Sequence, residues 1–292
     1  MNGFPFEIKV SIVMITFNHE KYIAEAIEGV LMQETNFDIE LIISDDASTD
    51  NTESVVNDFI VNHPRGNCIR YFRHPKNLGM IPNFVWSLQQ CKGEMIALCE
   101  GDDYWTDSNK LQEQFEILES NEQFSGVFHE TQVVIEPERT TGVVYGRSAP
   151  DLCTTLDTIS TGSLFHTSSF FFKKSCYNIP DWFTNIVSGD MALFSIVSKE
   201  GILKKIPKIM SVYRKHSEGV TATPFVTRSF HQDRVRLIKY LDSYHKHRFK
   251  RKAMEVIKYH QAALGHNNNR IVGKSISRAI KYLRNRIRKF LS

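Results

Sequence analysis

Two apolar, β-branched runs, Lys9–Phe17 (KVSIVMITF) and Glu40–Asp46 (ELIISDD), stand about 30 residues apart, and between them Tyr22, Ile23, Ala26, Ile27, Val30 and Leu31 recur at helical spacing. Strand, helix and strand at that length form a βαβ unit, whose crossover returns the chain to the same edge and makes the strands parallel. The polarity of the sheet is thereby fixed. Thr16, Phe17 and Asn18 after the first strand and Asp45 and Asp46 at the end of the second share one edge, the edge where open α/β sheets bind ligands. The following DDASTDNTESVV turns and opens a helix, with Ser48, Thr49 or Asp50 as its predicted N-cap and Glu53 behind it. A short strand at Ile69–Arg73 and a helix from about Ile81 to Gln90 continue the alternation.

The next strand, in MIALCEGDDYW (Met95 to Trp105), delivers Asp102 and Asp103 at its carboxyl end. Two adjacent acids in a turn give several hard oxygen ligands at one point, which suits Mn2+ or Mg2+ shared with a substrate's phosphates. No GxGxxG follows the first strand and no GxxxxGK[ST] occurs, so the usual glycine cradles for phosphate are missing and a diphosphate's charge must be met by metal. After a helix at about Asn109 to Ser120 the pattern changes. Gly126–Ile135 and Gly162–Lys173 read as strands of a mixed sheet, separated by a loop from Pro137 to Pro150, and a helix at about Asp190–Lys199 and a strand near Met210–Arg214 follow.

The 292 residues, 41% of them hydrophobic, suffice for a large core. The five cysteines form no CxxC pair and no metal-like Cys/His spacing, which predicts a reducing, cytoplasmic setting. Glu7 and Lys9 interrupt the apolar start, so no signal peptide is read, and no uncharged apolar run reaches the ~18 residues of a membrane span. The net charge of +3 hides an asymmetry: residues 225–292 carry 18 Lys/Arg against 3 Asp/Glu, and residues 1–224 carry 18 against 30.

The strings VSIVMITFNHEKYIAEAIEGVLMQ, ELIISDDASTDNT, NLGMIPNFVWSL and GEMIALCEGDDYW, in this order and spacing, resemble the family 2 nucleotide-sugar glycosyltransferases of the GT-A fold. A fainter likeness runs on through SGDMALF and YRKHSEGVT to about residue 221. The resemblance implies a Rossmann-like mixed sheet flanked by helices, with residues 1–105 as a nucleotide-binding half, 106–224 as an acceptor-binding half and 225–292 as a basic helical extension. It places Phe17, between Thr16 and Asn18, against the base of a UDP-sugar, and Asp46 as acceptor for the base's ring N–H. Asn77, Gly79 and Asn83 would lie beside the ribose and diphosphate. Asp102 would contact ribose or a metal-bound water and Asp103 the metal, with Tyr104 and Trp105 as walls for the sugar. His216 would ligate the metal or reach over the diphosphate, and Arg214 and Lys215 would neutralise the departing UDP. Inverting transfer needs a base for the acceptor hydroxyl, and Asp190 is its candidate, although many relatives carry Glu-Asp where this chain has Gly-Asp. His166 reads more simply as a hydrogen-bonded histidine at a strand end.

These residues together predict an inverting, metal-dependent transferase moving a sugar from a nucleotide diphosphate to a saccharide or lipid-linked acceptor in cell-envelope or surface polysaccharide synthesis. A nucleotidyltransferase would require a Gly-rich loop with a basic residue where TFNHEKY stands. A non-catalytic, nucleic-acid-binding protein does not account for Asp46, Asp103 and Asp190 together, and no aromatic interleaving of the single-strand binders is present. In the tail, Ile276, Ile280, Leu283, Ile287 and Phe290 recur at helical spacing among Arg278, Lys281, Arg286, Arg288 and Lys289, a basic amphipathic pattern suited to the inner face of an anionic membrane. Packing back on the domain and dimer formation are its competing readings.

Overall fold

The computed structural model describes residues 7–219 and 227–265. Its elements follow in chain order: β1 (Ile8–Thr16), α1 (Ile23–Leu31), β2 (Asp38–Asp45), α2 (Thr52–Asn62), β3 (Ile69–Arg73), α3 (Met80–Gln89), β4 (Met95–Leu98), β5 (Tyr104–Trp105), α4 (Lys110–Glu119), β6 (Phe124–Ile135), β7 (Thr140–Tyr145), β8 (Leu152–Cys153), α5 (Thr155–Thr158), β9 (Phe171–Lys173), α6 (Gly189–Val197), β10 (Ile202–Lys215), α7 (Arg228–Tyr244) and α8 (Lys250–Gly265). One mixed sheet runs β3-β2-β1-β4-β9-β6-β10-β5, with β7 beside β6 and β8 beside β10. β1 is parallel to β2 and β4, as the βαβ spacing requires. Alternating Val10, Ile12 and Met14 of β1 meet Ile23, Ile27 and Val30 of α1 in the core beside this half of the sheet. The result is the GT-A-like α/β architecture.

Four sequence expectations change. The predicted strand from Gly162 shrinks to β9, preceded by a 3-10 turn at Thr167–Ser169, because the His166 side chain accepts the Ser168 N–H and bends the backbone away from extension. The predicted loop 137–150 contains β7, antiparallel to β6; its Thr-Thr-Gly-Val-Val-Tyr core is β-forming, and the glycine lies across from Val133. Asp50 does not cap α2, whose N-cap is Asn51 without a side-chain bond. Its carboxylate accepts from the Thr52 and Glu20 amides, at 3.0 Å each, and ties the loop after β1 to α2. The strand expected near 210–214 is β10, 14 residues long. Its charged first half is accommodated by register shifts and by buried Lys205, 3.1 Å from Glu130.

The chain divides into two compact units, Met1–Pro224 and Phe225–Ser292. In the second, α7 and α8 pack through Leu237, Ile238, Leu241, Ala253, Val256 and Ile257, all buried, while Lys246, Arg248, Lys250 and Arg251 stand exposed around the turn between them. The predicted amphipathic helix at 276–291 lies outside the described residues. No described helix is long and apolar enough to cross a membrane.

Candidate active site

Strand ends on the ligand edge build a cavity of about 300 Å³, lined by Thr16, Phe17 and His19 after β1, Asp46 after β2, Asn77, Met80 and Asn83 around the start of α3, and Glu100, Asp102 and Asp103 after β4. His166, Thr167, Tyr213, Arg214, Glu218 and Gly219 complete its wall. At one end Phe17 is 42% exposed, which rules out plain core packing. Asp46 is buried beside it, and its two oxygens accept the amides of Leu78 at 2.6 Å and Gly79 at 2.9 Å. Each carboxylate oxygen keeps lone-pair capacity for a further donor. The Asn77 side-chain oxygen accepts the Gly79 amide. Gly79 at φ +92° starts α3 in a conformation that glycine supplies cheaply.

Two residues expected at the nucleotide are spent on the scaffold. Asn18, at φ +56°, is not among the lining residues; its side-chain oxygen accepts the Thr49 amide at 2.8 Å and joins the two strand-end loops. Asn83 reaches the cavity, but its side chain donates to the Ser44 carbonyl at 3.0 Å and meets Ser44 Oγ and His74 Nε2, so it fixes α3 on β2.

At the other end lie the acids. Gly101 lets their turn rest on the end of β1, since a Cβ there would come 2.8 Å from Thr16 Oγ1 and 3.0 Å from His19 Nδ1. Asp103 Oδ1 accepts the Arg214 amide at 2.9 Å, and Oδ2 lies 3.5 Å from His166 Nδ1. Asp102 Oδ2 meets His216 Nε2 at 3.1 Å and has His19 Nε2 at 3.9 Å. Burial, then the charges of Asp102 and Glu100, push the Asp103 carboxyl well above its ordinary range. Burial and neighbouring Asp102 likewise raise Glu100 to about 7 against a hydrogen bond from Thr167. Burial alone would raise Asp102, but the His216 hydrogen bond and the charge of His19 hold it below its usual value. His166 is pushed down to about 4 by burial, with Lys215 adding to the effect, so its ring is neutral and able to ligate.

Glu100, Asp103 and His166 offer ligand atoms all within 4.8 Å of one another, and Glu100 Oε2 is buried with no hydrogen-bond partner among the described residues. Two carboxylates and a neutral imidazole converging at this distance fit a divalent metal. Asp103 is where the sequence reading put it. His216 holds Asp102 instead of joining this cluster, and His166, read as a simple strand-end histidine, takes the place expected for it. Glu100 was missed as a ligand. Its signal was an acid two residues before Asp102, half-buried just past the strand end.

Arg214 also departs from expectation. Its guanidinium is buried between Glu25 and Glu136, donates to the Asp102 carbonyl at 2.8 Å and lies 4.3 Å over the Tyr104 ring. Held by Glu25, Glu136 and the Asp102 carbonyl, it braces the acidic turn while still lining the cavity. Tyr104 does not wall the cavity; it receives Arg214 on its face, while buried Trp105 donates to the Ser168 carbonyl at 2.8 Å and supports the turn bearing His166. Asp190 stands in the first turn of α6 without capping it. The N-cap is Ser188, and Asp190 Oδ2 accepts from Ser163 Oγ at 2.8 Å. Asp190 is not among the lining residues, yet its charge acts on Glu100, His166 and Tyr145.

Comparison with known proteins agrees with this geometry. Residues 11–197 match the family described as Glycosyl transferase family 2. Uncharacterized protein Rv1520 of Mycobacterium tuberculosis is 33% identical over 226 residues, 75% of this chain and 62% of that one, so the chain spans about three fifths of that relative. The S. aureus TarS structure in complex with UDP-GlcNAc superposes with a TM-score of 0.61 at 16% identity, over 80% of this chain and 66% of that one. The mannosyltransferase PcManGT from Pyrobaculum calidifontis, in complex with GDP-Man and Mn2+, gives 0.57 at 15%, over 96% and 84%. These structures share the fold, and the sequence match over most of the α/β unit gives the lineage: the chain belongs to glycosyl transferase family 2.

Proposed function

We propose that this chain transfers a sugar from a nucleoside diphosphate donor, a UDP-sugar, to a hydroxyl of a saccharide or lipid-linked acceptor, with inversion at the anomeric carbon. The observation that carries the reading is one cavity holding both an exposed ring beside a buried acid, Phe17 and Asp46, and the Glu100, Asp103 and His166 cluster. Phe17 offers a stacking face to the base, and Asp46 accepts from its ring N–H. A divalent cation held by Glu100, Asp103 and His166 would offset the diphosphate's charge and make it a better leaving group.

Asp190 accepts the acceptor's hydroxyl proton as that oxygen attacks the anomeric carbon from the face opposite the diphosphate. The carbon–oxygen bond to the diphosphate breaks with its electron pair on UDP, so the configuration inverts. His216 holds Asp102, and the Arg214 amide holds Asp103, which keeps both acids oriented. In this reading residues 1–105 bind the nucleotide and 106–224 receive the acceptor. The basic second unit places the enzyme on the cytoplasmic, anionic face of a membrane where a lipid-linked acceptor is met.

Thermal stabilisation and calorimetry with UDP, GDP and dTDP test the site. UDP should stabilise the protein with Mn2+ or Mg2+ present, EDTA should remove the effect, and Asp103→Ala should abolish the metal dependence. UDP binding indifferent to EDTA in the wild type would sink the metal assignment.

A further inference from the structure

Ser163, Leu164, Phe165 and His166 run consecutively from the candidate base to the candidate cation ligands. Phe165 is fully buried, with its ring stacked at 4.0 Å on Phe194 of α6 and at 4.0 Å on Phe128 of β6. Phe194 lies four residues after Asp190, one turn along the same helix face. At one end of this pinned segment Ser163 Oγ donates to Asp190 Oδ2 at 2.8 Å. At the other, His166 Nδ1 lies 3.5 Å from Asp103. Four residues thus set the separation of the two halves of the reaction.

Asp190 needs such a tether. Its helix is capped by Ser188 with no side-chain cap bond, so capping does not hold the carboxylate. A carboxylate's terminal torsion is broad and two-fold, and without a partner neither oxygen keeps a direction. Ser163 Oγ also lies 3.0 Å from the Phe165 carbonyl, but the Asp190 oxygen at 2.8 Å is the nearer acceptor for its single hydrogen.

Resting on the reading of Asp190 as base, we propose that Ser163 is a positioning residue whose hydroxyl holds Asp190 Oδ2 and commits Oδ1 to the acceptor's proton. Ser163 does not line the nucleotide cavity, so its effect belongs to turnover and not to donor binding. A small misplacement of a reacting group costs up to about 10²-fold in rate.

The test uses the full chain with Mn2+ and a panel of UDP-N-acetylglucosamine, UDP-glucose and GDP-mannose, reading nucleoside diphosphate release, beside a crystal structure of Ser163→Ala with UDP and Mn2+. Ser163→Ala is expected to keep the wild-type melting temperature, UDP affinity and donor KM while kcat falls about ten- to hundredfold, and its Asp190 carboxylate to turn or split between orientations. Ser163→Thr keeps the hydroxyl and should recover most of the rate. A wild-type kcat in Ser163→Ala overturns the proposal, as does a loss shared by UDP affinity or one that Ser163→Thr does not recover. Wild-type release by Asp190→Asn would instead remove the base reading, while the crystal still decides whether Ser163 holds the carboxylate.

Discussion

At the residue scale the acids of the chain divide by what surrounds them. Asp46 and Asp50 accept backbone amides and shape loops, whereas half-buried Glu100 and buried Asp103 lie together and are both pushed toward protonation by burial and by the charge of Asp102. Asp190 is the acid with a short polar tether and no capping duty. Asp190→Asn keeps shape and removes basicity, so transfer should fall about 10²–10⁴-fold with UDP affinity retained, read as rate beside calorimetry in the same variant. If Asp190 only shaped the helix start, both quantities would stay near wild type. The places of Asp46, Asp102 and Asp103 after strand ends and of Asp190 at a helix start were legible in sequence. Glu100 and His166 were not, since their meeting depends on β9 and its 3-10 turn, whose chain path no local pattern gives.

At the element scale α4 carries a cost beneath the site. Lys110 is wholly buried, with Nζ 3.8 Å over the Trp105 ring and 2.7 Å from Gln114 Oε1, and burial lowers its pKa from 10.5 to about 7. The unfolded chain therefore holds this proton between about pH 7 and 10.5 where the folded chain does not, and stability rises with pH across that window. Below about 7 both states are charged and the burial cost is fully felt. Lys110→Met should raise the melting temperature most near pH 7 and progressively less toward pH 10, the difference closing by about 1.4 kcal/mol per pH unit. Melting curves of both proteins across this range check it, and a pH-independent gap would contradict it. Elements such as α4, β3 and β6 were readable because their periodicity is unbroken. β7 and the first half of β10 were not, because glycine, proline and lysine interrupt runs that tertiary pairing nonetheless extends.

At the scale of the whole molecule, an acidic unit of 18 Lys/Arg against 30 Asp/Glu is joined to one of 18 against 3. In the described part of the second unit four exposed cations, Lys246, Arg248, Lys250 and Arg251, stand around one turn, which favours anionic lipid. The full chain should sediment with phosphatidylglycerol vesicles at about 0.05 M salt and be released toward 0.5 M. Replacing these four residues by Glu and deleting residues 275–292 should abolish sedimentation and leave UDP binding intact. Equal sedimentation of the two proteins would remove the membrane reading.

The acidic turn after β4 is completed from far along the chain. β5 pairs with Ser211 and Val212 of β10, Asp103 accepts the Arg214 amide, and Asp102 meets His216. A ribosome making this protein emits the nucleotide slot more than a hundred residues before the strand that orients its acids. The acids of the turn therefore gain their orientation only once β10 has taken its place between β6 and β5. Competence arrives last, as a property of the finished sheet.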